Sequence, residues 1–358
     1  MQRRGGGARG RDGPGERTIV TLEDVARAAG VHYSTVSRAL DPETARQVNV
    51  VTRKRVAAVA KRMGYHKDMV ASGLKRGRTH TVAVVVGDLA NPNVAPLLRG
   101  ISSRLEAAGL MPLIVETQND SARLERILSL LLSRRVDAFI LTAAHLGDGP
   151  KLRRIRRHGI PVVLAVQTLP GIRMPAFTND DILGGTLAAQ HLLALGHRRV
   201  AQLRGPADIY SCLQRAQGFS KTIAAAGATE VVLRSTGPMG TAEEGNRLMR
   251  QLLDSKRPMP TGIFAHHDLM ALGALSAAEE RGLACPRDIS MVGYNDLPNV
   301  ERMVPPLTSI RLPREELGGL AAEVTVKMLS SADRPPPSRK LAPTLVVRQS
   351  TGPPRDFR

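Results

Sequence analysis

Apolar positions keep a helical beat at the start of the chain and later fall into short solid blocks, so the pattern itself divides the protein. Leu22, Val25, Ala26 and Ala29 stand at i, i+3, i+4 and i+7, one face of a helix that Thr21 and Asp24 open as a capping box. Gly30 ends it. Val36, Ala39 and Leu40 supply the inward face of a second helix a few residues on, and two short helices around a tight glycine turn make a helix-turn-helix. A third helix is predicted after Asn49 as N-cap. It would turn Val56, Val59, Ala60 and Met63 inward, stop at Gly64, and leave Arg53, Lys54, Arg55, Lys61 and Arg62 outside.

Beyond a link at 65–80 the rhythm changes. TVAVVVGDL, LMPLIVE, VDAFILTA and IPVVLAV read as buried strands, separated by helices near 95–108, 121–134 and 150–158. RRVAQLRG, EVVLRS, TGIFAHH and ISMVGYND continue the alternation as a second set. Each set is a parallel βαβ array, and together they predict two doubly wound lobes with a ligand crevice at the strands' carboxyl ends.

Composition narrows the class. With 358 residues, 42% apolar and 23% charged, the chain suits a soluble protein of two or three domains. It holds no apolar run of about 18 residues to span a bilayer, and MQRRGGGARGRDGPGERT lacks the apolar segment of a secretory signal, so a cytoplasmic location is expected. Cys212 and Cys285 are far apart without CxxC spacing, which supports neither a disulfide framework nor a cysteine metal site. Of the net +19, residues 1–80 carry +10, from 17 Lys or Arg against 7 Asp or Glu. Such a basic module suits a polyanion, because each neutralised phosphate releases counterions; charge alone would equally fit a solvated basic surface. Residues 1–17, Gly- and Arg-rich, are expected as a disordered basic arm and not a phosphate loop, which needs a strand before it and a helix directly after.

If the second helix buries Val36, Ala39 and Leu40, then Tyr33, Ser34, Ser37 and Arg38 share its opposite face. A phenol, hydroxyls and a guanidinium on a basic surface suit the major groove, where Arg pairs with guanine O6 and N7. The alternative is that Tyr33 packs on the first helix and Arg38 meets a local acid.

These residues carry a resemblance. TLEDVARAAGVHYSTVSRAL, RVAAVAKRMGY and VASGLKRGRTHTVAVVVGDLANP, followed by DDILGGTLAAQHLLALGH, RAQGF, HDLMALGALSAAEERGL, ISMVGYNDL and PPLTSI, resemble the LacI–GalR family of bacterial transcription regulators over residues 18–350. The implied fold is α/β: a three-helix helix-turn-helix head, a hinge helix, and a two-lobed periplasmic-binding-protein-like core of doubly wound parallel sheets. The implied domains are a basic arm at 1–17, the head at 18–66, a hinge at 67–80, a core at 81–350 and a tail at 351–358. Within the core, the first lobe is expected at about 81–178 plus 308–337 and the second at about 179–307 plus 338–350.

The resemblance also implies roles. Tyr33, Ser34 and Arg38 match base-reading positions; Thr21, Ser37 and Arg53 match positions near phosphates; Leu22 matches a DNA-binding position; Leu74 matches a leucine wedged into the minor groove. Some features depart from the family. Lys67-Asp68 replace a common Pro-Asn, Ser72-Gly73 precede the leucine, DPETARQVN lengthens the loop before the third helix, and His32 stands where a Ser commonly caps the second helix. Gly73 weakens an isolated hinge helix by roughly 0.5–1 kcal/mol relative to Ala, so the hinge is expected to fold only on DNA.

In the crevice, Arg215 of RAQGF matches an effector-gripping arginine. The pairs His267-Asp268 and Asn295-Asp296 end two strands and are expected to face the cleft, with Asn91 and Asn93 opposite from the first lobe. On general grounds any one of these could equally cap its loop. Val166, His267 and Asn295 replace residues that are commonly Asp, Asn and Asp, and a cleft that keeps Arg215 while losing acids would tolerate an anionic, sugar-derived ligand. His266-His267-Asp268 is no metal site, since adjacent strand residues point to opposite faces. No GxSxG, HExxH or GxxxxGK[ST] motif occurs, so neither an enzyme nor a cofactor is expected. The resulting expectation is an allosteric repressor that binds pseudo-palindromic operator DNA as a homodimer. The lack of a heptad segment after 350 favours a dimer over a tetramer. Competing classes are a ligand-binding protein or lobe enzyme with an incidental basic N-terminus, and a non-specific chromosome coat.

Overall fold

The computed structural model describes residues 20–41, 44–65, 78–237, 240–331 and 337–355. The arm at 1–17 and the hinge leucine Leu74 lie outside the described residues. The chain divides into two compact units, residues 1–77 and 78–358.

The first unit is built from small apolar side chains. Helix α1 (Leu22–Ala29) starts at Thr21, whose Oγ1 accepts from Asp24 N–H at 3.3 Å while Asp24 Oδ2 accepts from Thr21 N–H at 3.0 Å. Gly30 closes it in the left-handed region at φ 64, which costs a glycine nothing in steric clash. Helix α2 (Tyr33–Ala39) follows within three residues. Helix α3 (Val50–Arg62) is capped by Asn49 Oδ1, which accepts from Val51 N–H at 2.9 Å. Val25, Val36 and Val56 are fully buried where the three helices meet, with Leu22, Leu40, Met63 and Tyr65 packed around them. The lengthened loop before α3 contains one turn of 3-10 helix, Ala45–Gln47.

The second unit holds two six-stranded sheets. The first consists of β1 (Thr81–Val86), β2 (Met111–Glu116), β3 (Ala138–Leu141), β4 (Val162–Val166), β5 (Ala176–Asn179) and β11 (Arg339–Leu341), in the order β11-β5-β4-β3-β1-β2. The second consists of β6 (Arg199–Arg204), β7 (Thr229–Arg234), β8 (Gly262–Ala265), β9 (Ser290–Asn295), β10 (Thr308–Arg311) and β12 (Thr344–Val346), in the order β12-β10-β9-β8-β6-β7. Only β12 runs antiparallel to its neighbour, β10. Both faces of each sheet are covered by helices, which is why a strand such as TVAVVV is apolar at every position after Thr81 and not at alternate ones. Helices α4 (Val94–Ala107) and α11 (Arg314–Ser330) cover one face of the first sheet, α5 (Ser121–Ser133) and α6 (Gly149–Arg157) the other. In the second sheet the corresponding pairs are α7 (Asp181–Ala194) with α8 (Tyr210–Ala225), and α9 (Ala242–Leu253) with α10 (Asp268–Glu279).

The pair α7 and α8 meets backbone to backbone. A Cβ on Gly185 would fall 2.0 Å from the carbonyl oxygen of Arg215, and one on Gly218 would fall 2.0 Å from that of Ile182. Glycine at both positions lets the helices approach closely enough for Asp181 to reach Arg215.

The lobe boundaries differ from the sequence reading, which gave 308–337 to the first lobe and 338–350 to the second. Strand β10 belongs to the second sheet, where it pairs in parallel with β9 and buries Ile310 beside Phe219 and Phe264. Strand β11 belongs to the first, paired with β5 and burying Leu341. Both strands are only three or four residues long, and β11 reads Arg-Lys-Leu, too short and too charged to show which sheet it joins. The chain therefore crosses between lobes at 179–181, 311–314 and 341–344. Strand β5 was not legible as a strand at all.

Candidate functional site

The first candidate surface is α2. His32 serves as its N-cap: Nδ1 accepts from Ser34 N–H at 3.4 Å and lies 2.8 Å from Ser34 Oγ, so an imidazole replaces the usual hydroxyl. With Val36 and Ala39 buried, Tyr33, Ser34, Ser37 and Arg38 lie on the outward side. Tyr33 is 49% exposed and its ring tilts against His32, centroids 4.4 Å apart. Arg38 folds back along its own helix, Nε donating to Ser34 O at 3.2 Å and an Nη to Ser34 Oγ at 3.4 Å. These bonds are long and exposed, so the guanidinium can extend at little cost. Thr21 is exposed beside the start of α1, while Leu22 packs its side chain into the core of the unit and can offer a ligand only its backbone N–H. Arg53 is half-buried, and Lys54, Arg55, Lys61 and Arg62 are exposed on α3.

The second candidate site lies between the lobes of the second unit. Asn91, Asn93, Thr142, His145 and Gln167 line it from the first lobe's strand ends. Ser211, Arg215, His267 and Asn295 line it from the second, and Arg314 enters at the start of α11. The space between them is about 90 Å³. Side chains bridge it. The amide of Asn93 lies 3.2 Å from Nε2 of His267, Nδ1 of His145 lies 2.6 Å from Asp208 Oδ2, Gln167 Nε2 donates to Ser211 Oγ at 3.0 Å, and an Arg314 Nη donates to Asn295 Oδ1 at 3.2 Å.

Arg215 is the electrostatic centre. It is 4% exposed, donates to Asp181 Oδ1 at 2.8 Å and to the carbonyl of His266, and holds its Cζ over the ring of Tyr294, 3.4 Å from the centroid. Tyr294 O–H donates to the same Asp181 oxygen at 2.7 Å. Burial opposes the guanidinium's charge, but Tyr294 and Asp181 outweigh it and hold the group protonated. The neighbouring histidines respond oppositely. Burial first, then the charges of Arg215 and Arg314, push His267 down to about 3, and burial with Arg215 and Arg204 holds His266 well below the usual imidazole range. Both rings are neutral at physiological pH. Val166 ends β4 in the cleft wall at φ 69, a strained conformation for a β-branched residue.

Two expected site residues do not face the cleft. Asp268 is 1% exposed and accepts from Ser309 Oγ at 2.6 Å and Leu297 N–H at 2.8 Å; burial raises it to about 7 against those bonds. Asp296 pairs with Arg311 at 2.6 Å and Arg348 at 2.7 Å. The reason is local. Strand β8 stops at Ala265, so His267 caps α10 and Asp268, its first residue, turns beneath the cap, while Asp296 follows Asn295 on the opposite side of the chain. Arg215, His267, Asn295, Asn91 and Asn93 do converge. Sequence reasoning missed His145, Gln167, Ser211, Asp181, Tyr294 and Arg314. The Asp-Asp pair opening a helix with two glycines behind it is a signal by which Asp181 could have been found; Arg314 carried no comparable signal.

A helix-turn-helix with an outward hydroxylated and cationic face, followed by a two-lobed core with a polar cleft at its strand ends, defines a DNA-binding transcription regulator with a small-molecule site. Residues 21–68 match bacterial regulatory proteins of the lacI family, and residues 189–351 match a periplasmic-binding-protein-like domain. The transcriptional repressor CytR of Escherichia coli K12 is 30% identical over 337 residues, 94% of this chain and 97% of that one. The chain belongs to the LacI family. Among solved structures, a Lac repressor dimer bound to operator and an anti-inducer is similar with a TM-score of 0.82 at 27% identity, covering 94% of this chain and 100% of its own. A CelR–cellobiose complex is similar with a TM-score of 0.70 at 31% identity, covering 92% and 99%. These relatives are transcription regulators, not enzymes. Among the described residues no helix is long and apolar enough to cross a membrane, and no group of three or more His, Cys, Asp or Glu could hold a metal.

Proposed function

We propose that two copies of the chain read a pseudo-palindromic operator through paired α2 helices and that a sugar or sugar-derived metabolite in the inter-lobe cleft sets their affinity for it. The observation that carries this is the outward face of α2, where Tyr33, Ser34, Ser37 and Arg38 stand clear of the unit's core. Tyr33, Ser34 and Arg38 read base edges; Thr21, Ser37, Arg53 and the N–H of Leu22 hold phosphates. Leu74, in a hinge at 67–80, wedges the minor groove. The protein's two-fold axis matches that of the operator. The surface for the second copy is the groove beside α10, lined by Leu272, Leu275, Met303 and Val304, where Val304 is 97% exposed.

A space of about 90 Å³ is well below the roughly 300–1,000 Å³ of a site that encloses a metabolite. An effector therefore enters only as the lobes part and re-close on it, so its affinity differs between lobe arrangements. That difference is the free energy an allosteric ligand needs. The test is selection of bound sequences from a random duplex pool by the full chain, with and without candidate metabolites. A symmetric consensus whose enrichment changes with a metabolite is expected. Retention of all sequences alike would end the reading.

A further inference from the structure

The cleft contains two guanidiniums whose donors are not all matched. Arg215 has its Nη atoms engaged by Asp181 and the carbonyl of His266, yet its Nε is sealed from solvent with no acceptor. Arg314 reaches the same space from α11, whose partner α4 belongs to the first lobe. It has one bond of 3.2 Å, to the neutral amide of Asn295, and its Nε is also sealed without an acceptor. Among the described residues no carboxylate forms an ion pair with Arg314. Asp181 already serves Arg215 and Tyr294, and Asp88, the carboxylate in the cleft wall, accepts from Ala90 N–H at 2.8 Å.

We infer that the effector carries one compact anionic group, a carboxylate or a phosphate monoester, held jointly by Arg215 from the second lobe and Arg314 from the first. This rests on the reading of the cleft as the effector site. A hydroxyl could accept one hydrogen bond from either Nε but would leave the charge uncompensated; an anion supplies both acceptor and charge. The cost of the present arrangement shows in Arg314, which burial, reinforced by the like charge of Arg215 and only partly opposed by Asp181, pulls down to about 10. The rest of the ligand is polyhydroxylated. Gln167 Oε1 is sealed without a donor, and Thr142, Ser211 and Asn91 offer neutral partners around it. Because the two arginines come from different lobes, the anion ties the lobes together, so ligand charge acts directly on lobe closure.

The test uses the full chain with gluconate and ribose 5-phosphate against their neutral counterparts glucose and ribose, by titration calorimetry and thermal melting. Its variants are Arg314→Met and Arg314→Lys. At least one anionic probe is expected to bind about tenfold or more tighter than its neutral counterpart, to lose about tenfold or more in Arg314→Met, and to keep most affinity in Arg314→Lys. Which anion binds distinguishes carboxylate from phosphate. Without ligand, Arg314→Met is expected to melt at or above the wild-type Tm, because it removes a half-buried charge that no carboxylate pairs. A lower ligand-free Tm overturns the inference even if no probe binds. Neutral sugars binding as tightly as the anions, unaffected by Arg314→Met, would overturn it too, while leaving the cleft an effector site.

Discussion

Replacing His267 with Asn isolates how the cleft's burial couples to pH. The imidazole is 2% exposed, caps α10 by accepting from Leu269 N–H at 3.2 Å, and is pushed from 6.5 to about 3, by burial first and then by Arg215 and Arg314. A base whose folded value is depressed resists protonation in the native state while the unfolded chain takes the proton freely. Stability is therefore intact above about pH 6.5 and falls as pH drops below it, levelling only near the folded value. At pH 5 the unfolded imidazole is about 1.5 units below its own midpoint while the folded one is still neutral, a loss of about 2 kcal/mol. The figure hardly depends on the folded value, provided that lies below about 4. Asn is itself a good N-cap and cannot titrate, so His267→Asn is expected to lose about 2 kcal/mol less than wild type between about pH 7.5 and 5. Urea unfolding of both proteins at the two pH values measures this. His191, His197 and His266, also depressed by burial, lower both curves together. Parallel losses in the two proteins would refute the claim that His267 stays neutral in the fold.

Three further outcomes are expected. Arg38→Ala should cost about 1–3 kcal/mol of discrimination at one base pair of each half-site while barely changing affinity for random duplex, measured by competition binding; an equal loss on every sequence would remove its base-reading role. Gly185→Ala places a Cβ 2.0 Å from the carbonyl of Arg215, so α7 and α8 must separate. A loss of about 1–3 kcal/mol in urea is expected, and an unchanged midpoint would mean that the helices yield freely. Val304→Glu should dissociate the proposed dimer in sedimentation experiments, and a variant that remains dimeric would place the interface elsewhere.

What the sequence made legible follows from how local each signal is. The head could be read because its cap at Thr21, its stop at Gly30 and its apolar spacing all lie within a few residues of one another. Long solid strands such as β1 and β9 were equally plain, since burial on both faces leaves no polar position to confuse the pattern. The short strands β5, β10 and β11 were not, because three or four residues carry no period and only distant partners decide their sheet. In the cleft, the rule that ligands gather at strand ends found His267 and Asn295 but not which neighbour turns away, and so misplaced Asp268 and Asp296. The Arg215–Asp181 pair joins residues 34 positions apart and depends on two glycines that bring their helices together. Arg314 lay unseen because its importance is a missing counter-charge, which no spacing reveals.

The three crossings between lobes also govern the order in which the protein can be made. The first sheet is without α11 on one face until residue 330 has been synthesised, and without β11 until residue 341, although its opening strand ends at Val86. An apolar surface made early is thus left half-covered, by α4 alone, while most of the second lobe is being made. That surface, which includes Val82, Val84 and Ile140, is what a nascent-chain chaperone would meet.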